Sequence, residues 1–376
     1  MNSYNLNETL NIISQEEIKI RDTPISYYNF TLRKYIHSIK TEIDKKVEEW
    51  DKNKKYMNPY EFINTSYDHS SPSVCTYRPI SRAFFKMIEI LNNYDFSFGS
   101  SIQTFHLAEG PGGFIEAIQH FRDNKNDIYY GMTLMTEDKD IPKWNKCEQY
   151  ITKNPNIRLC YGADNTGNLY HIENLIYVKE NFRQSMDFIT GDGGFDFSID
   201  FNKQEENSLN LIFAEICFAM IMQKKGGSFV LKVFDTFSST SIEMLYLLSY
   251  LYEDVYITKP STSRPANSEK YIVCINFKLV NNLDEIINKI ITIFPIIREN
   301  TITSFLDSYI NNNFLDKVKE INSIFGQSQI ENISLILNYI YENNSRDFYK
   351  STKRSYLNKC IRWCKKNNMP INPIYS

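Results

Sequence analysis

The sequence predicts an α/β fold: a doubly wound, mainly parallel sheet with helices on both faces, carried between helical N- and C-terminal extensions. Three observations predict it. From about residue 76 to 280, short apolar runs alternate with segments of helical spacing, as strands alternating with helices do. The first of these runs leads into a glycine turn that opens a helix, His106 to Phe114. On either side of this region, apolar residues recur at helical spacing instead.

Taken in order, Leu32, Tyr35, Ile36, Ile39, Ile43, Val47 and Trp50 set helical structure between Tyr28 and Lys55. Asn58-Pro59-Tyr60-Glu61-Phe62 and the turn-rich Asp68-His69-Ser70-Ser71-Pro72 then mark a boundary. Residues 1–75 therefore read as a helical N-terminal extension. The core is expected over 76–285, with strands at 104–108, 129–134, 186–190, 228–233, 254–257 and 271–276. A long apolar helix at about 208–224 is expected to stop at Gly226-Gly227, and another helix lies near 240–252. Residues 286–376 form a helical, basic C-terminal extension. Its segment from Arg346 to Lys366 carries eight basic residues (Arg346, Lys350, Lys353, Arg354, Lys359, Arg362, Lys365, Lys366) against one acid, Asp347. Tyr349, Tyr356 and Trp363 are interleaved. Such a helix suits phosphate and base contacts, although a merely solvated face can also be basic.

Composition narrows the class. Apolar residues make up 42% of the 376, enough for a well-buried core. A net charge of −3 advertises no nucleic-acid binding by the chain as a whole, so any such surface is a local patch. The seven cysteines, at 75, 147, 160, 217, 274, 360 and 364, include no Cys-x-x-Cys pair. With no basic-then-apolar leader, this points to a reducing compartment. Cys360 and Cys364 lack a histidine or second cysteine pair beside them, so no metal site is expected. No uncharged run reaches the ~20 apolar residues of a membrane span. A soluble intracellular protein is expected, in nucleus or cytoplasm, or in a virion or host cytoplasm if the source is viral.

The turn His106-Leu107-Ala108-Glu109-Gly110-Pro111-Gly112-Gly113-Phe114 allows positive φ and close backbone approach to a ligand. In a doubly wound sheet it opens onto the ligand crevice. Its glycines are too compressed for a dinucleotide fingerprint, and no Gly-Lys-Ser/Thr follows to make a phosphate loop.

A second constellation comprises Lys86 on a helix before the sheet, Asp192 at a strand end, Lys232 inside the apolar run Phe229 to Phe234, and Glu269 before the last strand. A lysine flanked by apolar residues is costly unless its head reaches a polar site. Two lysines and two carboxylates suit proton removal from a poor nucleophile such as a ribose hydroxyl. The accepting lysine needs a pKa lowered toward neutrality; a neighbouring cation lowers it, while carboxylates hold geometry and oppose the shift. In-line alkylation of that oxygen is otherwise a positioning problem.

The chain resembles the FtsJ-like RNA 2′-O-methyltransferases, and within them the cap-specific mRNA (nucleoside-2′-O-)-methyltransferases, over roughly residues 58 to 276. The resemblance rests on Asn58-Pro59-Tyr60-Glu61, Ser81-Arg82-Ala83, Gly110 to Phe114, Gly131-Met132-Thr133-Leu134, Asp192-Gly193-Gly194-Phe195, Lys232-Val233-Phe234-Asp235 and Thr262 to Glu269, in matching order and spacing. It implies a Rossmann-like methyltransferase core with S-adenosylmethionine as cofactor. It also implies a Lys86, Asp192, Lys232, Glu269 tetrad in which Lys232 accepts the proton. By the same resemblance, Ser81, Glu109, Gly110, Pro111, Gly112, Gly113 and Phe114 would line the cofactor, Asp164 or Asn168 would meet its adenine end, and Asn207 and Asn267 would touch RNA.

Three departures qualify it. His106 stands where the family pattern has an acid, and Glu109, in place of a small residue, is the candidate to take over that acid's work. Thr133 ends the second strand, which leaves Glu137 or Asp138 for the cofactor ribose. Asn64 stands where the family places a basic RNA-contacting residue. The expected partner is RNA, capped mRNA first, with other capping or transcription proteins admitted by the resemblance. A ribosomal or transfer RNA 2′-O-methyltransferase, and a non-catalytic RNA-binding subunit on the same fold, are the alternatives.

Overall fold

The apolar runs of the central region become strands whose two faces are both covered. β1 (Asn2–Asn5), β2 (Gln103–Leu107), β3 (Ile128–Met132), β4 (Ile157–Leu159), β5 (Met186–Gly191), β6 (Gln223–Val233), β7 (Tyr252–Lys259) and β8 (Lys270–Phe277) make one sheet. The computed structural model describes residues 1–8, 10–66, 71–138, 141–194, 201–342 and 346–375, with the backbone alone at 201 and 346–351. The expected turn at Asp68-His69-Ser70, Phe195 of the Asp192 motif, and the side chains of Arg346, Asp347, Tyr349 and Lys350 lie outside the described residues.

The strand order is β1-β7-β8-β6-β5-β2-β3-β4. β2 runs parallel to β3 and β5, β3 to β4, and β5 to β6. β8 is antiparallel to β6 and β7, and β1 is antiparallel to β7. The sheet is therefore mixed, with β8 and β1 alone reversed. Phe105, Leu107, Phe188, Ile189, Val230 and Leu231 are fully buried, as covered parallel strands require. The chain's path reverses between β2 and β5, so the loops leaving those strands diverge and open a crevice at their carboxyl ends.

The helices are α1 (Phe30–Asp44), α2 (Val47–Asn53), α3 (Ala83–Leu91), α4 (Gly113–Arg122), α5 (Glu148–Lys153), α6 (Ile172–Phe182), α7 (Gln204–Met222), α8 (Ser239–Leu251), α9 (Leu283–Ile293), α10 (Asn312–Tyr341) and α11 (Arg346–Lys366). Their starts follow local chemistry. Ser238 caps α8 by accepting from Ser241 N, and Asn311 caps α10 by accepting from Phe314 N. None of the described helices is long and apolar enough to cross a membrane.

Two expectations are corrected. The long apolar helix ends at Met222, and β6 already begins at Gln223. Gly226, at φ 77°, sits in an irregular stretch of the strand instead of stopping a helix. The side-chain amide of Gln223 holds the Met186 carbonyl at 2.9 Å there. The N-terminal region is not purely helical either, because β1 extends the sheet edge along β7. Both flanks share the main cores: Leu6, Ile13 and Ile18 pack in one cluster with Phe305 and Phe314, and Cys360 and Trp363 pack in another with Phe84 and Phe85.

Candidate active site

The glycine turn is built by close packing. A Cβ on Gly110 would meet the Pro142 carbonyl oxygen at 2.4 Å, and one on Gly113 would meet Ser81 Oγ at 2.1 Å. Gly112 stands at φ 112° as it opens α4, a conformation that favours glycine. The turn thus presents bare backbone, with Ser81 seated against the first turn of the helix. Glu109 is buried beneath it. Its Oε1 accepts from Phe114 N at 2.7 Å and Ile115 N at 3.1 Å, satisfying two of the free donors at a helix start. Its Oε2 is buried with no hydrogen-bond partner. Burial pushes this carboxyl well above the usual range, and Asp192 adds to the push.

His106 is locked inside the sheet. Its Nε2 meets Thr104 Oγ1 and its Nδ1 meets Thr190 Oγ1, each at 2.8 Å. Burial pushes its pKa down to about 3, so the imidazole is neutral and joins β2 to β5.

Thr133 links the turn to the loop after β4. Gly110 N donates to Thr133 Oγ1 at 3.3 Å, and a Cβ on Gly167 would meet the Thr133 carbonyl oxygen at 2.1 Å. That loop holds Asp164 and Asn168. Asp164 accepts from Thr166 N and Asn174 Nδ2, each at 2.9 Å, and pairs with His171. Burial opposes ionisation, but these hydrogen bonds, His171's first, hold Asp164 below its ordinary pKa. Asn168 Oδ1 accepts from Tyr170 N, and its amide meets His171 Nε2. Glu137 and Asp138 lie exposed in the loop after β3.

Across the crevice stand two lysine–carboxylate pairs. Lys86 Nζ lies 2.8 Å from Glu269 Oε1 and 2.9 Å from Oε2. Lys232 Nζ lies 3.2 Å from Asp192 Oδ1 and donates to the Asp192 carbonyl at 2.6 Å. The four side chains are between 13% and 19% exposed, recessed yet reachable. Ser263 Oγ and Tyr271 OH also donate to Glu269 Oε1, at 3.0 and 3.3 Å. Burial pulls the Lys232 pKa down, yet Asp192, Glu269 and Glu215 together outweigh it and leave it raised. The expected lowering toward neutrality is therefore not found: carboxylates, not cations, dominate its surroundings. Glu269 is the reverse case. Burial opposes its charge, but Lys86 and Lys232 bring its pKa to about 2.

Three supporting groups have places in the site that the sequence did not assign them. Glu215 on α7 is fully buried, and its Oε1 accepts from Gly193 N at 3.0 Å, fixing the turn that follows Asp192. Its carboxyl is pushed up to about 8 by burial. A single charge within the apolar run Leu211 to Met222 was the available signal. Lys259, at the end of β7, donates to the Asn267 carbonyl and Oδ1 at 2.8 Å and to the Glu269 carbonyl at 2.7 Å. Burial, helped by Lys270, draws its pKa down to about 7. Glu61 is buried and accepts from Asn58 Nδ2 at 2.8 Å, from Arg82 Nη1, and from Arg264 through Nε at 3.2 Å and Nη2 at 3.0 Å. One carboxylate so ties together three of the motifs singled out above. Of the expected RNA-contacting residues, Asn267 is held in this loop, while Asn207 is exposed on the first turn of α7. Gln204, in that same turn, accepts from Ser268 Oγ.

A glycine turn and a lysine–carboxylate cluster thus stand at neighbouring strand ends of an α/β domain. The family model described as FtsJ-like methyltransferase matches residues 79–277, and the chain belongs to that family. Among curated proteins it is similar to the cap-specific mRNA (nucleoside-2′-O-)-methyltransferase 2 of Drosophila melanogaster, 28% identical over 269 residues, 65% of this chain and 36% of that one. The enzyme of the same name from Danio rerio is 29% identical over 334 residues, 80% of this chain and 42% of its own. A protein of African swine fever virus named a probable methyltransferase is 29% identical over 209 residues, 52% of this chain and 48% of its own. The chain spans less than half the length of each of these relatives.

Proposed function

We propose that the protein transfers a methyl group from S-adenosylmethionine to the ribose 2′-hydroxyl of capped mRNA near its 5′ end. The observation that carries this reading is the pairing of Lys86 with Glu269 and of Lys232 with Asp192 beside the glycine turn. The names of the cap-specific relatives support the choice of RNA.

The residues present suit the cofactor. Gly110 and Gly113 let the turn pack tightly on Pro142 and Ser81, and the buried Glu109 Oε2 beside it has no partner within the protein. Ser81 and Glu109 to Phe114 would hold the cofactor's methionine and ribose part, and Asp164 or Asn168 its adenine end. S-adenosylmethionine supplies an electrophilic methyl group on a sulfonium. The chain's own work is orientation and proton handling. Lys232, once neutral, takes the hydroxyl proton as the oxygen is alkylated. Asp192 fixes the direction of that amine through its carboxylate and carbonyl. Lys86 holds Glu269, and Glu269 in turn stabilises the ammonium that Lys232 becomes.

The test is transfer of labelled methyl from S-adenosylmethionine to short RNAs of defined sequence, capped and uncapped, with Lys232→Ala alongside. Transfer to capped RNA that vanishes in the variant is expected. Equal transfer to uncapped RNA would move the substrate to ribosomal or transfer RNA, and RNA binding without any transfer would leave a non-catalytic subunit.

A further inference from the structure

We propose that the outward face of α11 binds the single-stranded RNA backbone, holding nucleotides beyond the one that enters the lysine–carboxylate cluster. This rests on the RNA-methylating reading above and adds where the rest of the strand lies.

α11 is divided lengthwise. Tyr356, Cys360, Trp363 and Cys364 are buried, while Arg354, Lys359, Arg362, Lys365 and Lys366 are exposed. At about 3.6 residues per turn these exposed charges fall on one side of the helix, opposite the buried four. Alternating signs of charge mark a face laced with its own salt bridges. Here the chain contains no aspartate or glutamate from 348 to 376. Lys359 lies over the Tyr356 ring, and Lys366 donates to the neutral Asn93 Oδ1 at 2.9 Å, so neither contact cancels charge. In a chain of net charge −3, this is a local concentration of positive charge.

Its position relates it to the site. Cys360 Sγ donates to the Pro59 carbonyl at 3.3 Å. Trp363 packs on Phe85 with ring centroids 5.8 Å apart, and its Nε1 donates to Glu89 Oε2 at 3.0 Å. Phe85 and Glu89 are on α3 with Lys86. Glu89 also accepts from Ser261 N and Thr262 N, at the start of the loop that carries Glu269. The helix is thus one side chain removed from the catalytic loop. Beside Pro59, Glu61 is shared by Arg82 and Arg264, each about one-third exposed (32% and 34%). Two guanidiniums on one carboxylate leave net positive charge. Arg264 and Arg82 on Glu61, and Cys360 of α11 on Pro59, so meet at one short segment beside the loop of Glu269. From Arg354 to Lys366 a helix rises about 18 Å, enough for several phosphates. This closeness to the cluster favours the substrate strand over an acidic protein.

The test uses the full chain and a variant with Arg354→Ser, Lys359→Ser, Arg362→Ser and Lys365→Ser together. Affinity for fluorescent capped RNAs of increasing length is measured across a salt series, with polyglutamate as a second anion. The wild type should bind longer RNA at least tenfold more tightly than the shortest. The variant should lose most of that gain, and its salt dependence should flatten by about 0.7 in log–log slope per lost phosphate contact. A variant that keeps the full gain overturns the proposal, as does a wild type with no gain or one that prefers polyglutamate. An unchanged melting temperature shows that any loss is not unfolding. Methyl transfer in the same samples separates the two readings: length-dependent binding that needs α11, without transfer, rejects the enzyme and retains this surface.

Discussion

Lys232 Nζ touches Asp192 twice, at the carboxylate (3.2 Å) and at the carbonyl (2.6 Å). The amine is thereby aimed by the same residue that keeps it charged. At neutral pH the free protein holds an ammonium there, and the base form is a minority. kcat/KM should rise tenfold per pH unit through the neutral range and level off only above the ordinary lysine value of 10.5, because the pKa is raised. Lys232→Arg, charged at every accessible pH, should be as inactive as Lys232→Ala, with at least a ~100-fold loss. A flat pH profile, or an active arginine variant, would remove Lys232 as the base.

Glu269 carries the acid-side prediction. Its folded pKa is depressed from 4.5 to about 2, so its stabilising contribution is fully present above the unfolded value and is lost as pH falls through the folded one. The loss should run from about pH 5 down to pH 2. Denaturant titrations of the wild type and Glu269→Gln should converge over that window. Parallel curves would mean that Lys86 and Lys232 do not hold this carboxylate.

Glu109 caps α4, and the proposed function gives it a second duty toward the cofactor. Glu109→Ala should cost about 1–2 kcal/mol, because two helix-start donors lose their acceptor. If its orphaned oxygen also serves the cofactor, the Kd for S-adenosylmethionine should rise at least tenfold. Calorimetric binding beside thermal melting decides between them: a lowered Tm with an unchanged Kd leaves Glu109 as a cap alone.

On the proposed function, Lys259 positions the loop of Glu269. Lys259→Met frees the Asn267 and Glu269 carbonyls. It should lower kcat several-fold and raise the KM for RNA, while the Kd for S-adenosylmethionine stays put. A parallel loss of cofactor affinity would show general damage to the fold instead.

Glu61→Gln tests the junction of motifs. Breaking a buried pair costs about 3–5 kcal/mol, reduced here to about 2–3 kcal/mol because both arginine heads keep one-third of their exposure. Urea unfolding measures it; a loss below 0.5 kcal/mol would mean that the guanidiniums find other partners.

The parallel strands were legible because Phe105, Ile189 and Leu231 belong to runs buried on both faces. β1 was not, because Asn2 to Asn5 are polar or half-exposed at a sheet edge and show no apolar period. The lysine–carboxylate cluster could be sought from Lys232, a charge out of place in a strand. Its proton affinity could not, since that depends on how closely three carboxylates converge in space. Lys259 sits at a strand end, where a lysine is unremarked. Glu61 and Arg264 are separated by 203 residues, and no spacing rule connects them.

That separation has a consequence for how the molecule assembles. Contacts so distant in sequence must close a long loop before they contribute anything. During synthesis Glu61 can pair with Arg264 only after residue 264 has emerged, well after the glycine turn has its own neighbours from β3 and α4. A chain interrupted at the end of β7 would own the glycine turn but neither Glu269 nor the Arg264 of the clamp that holds its loop. On the proposed function, a nascent fragment would then lack the Lys86–Glu269 pair until the last part of the sheet is made.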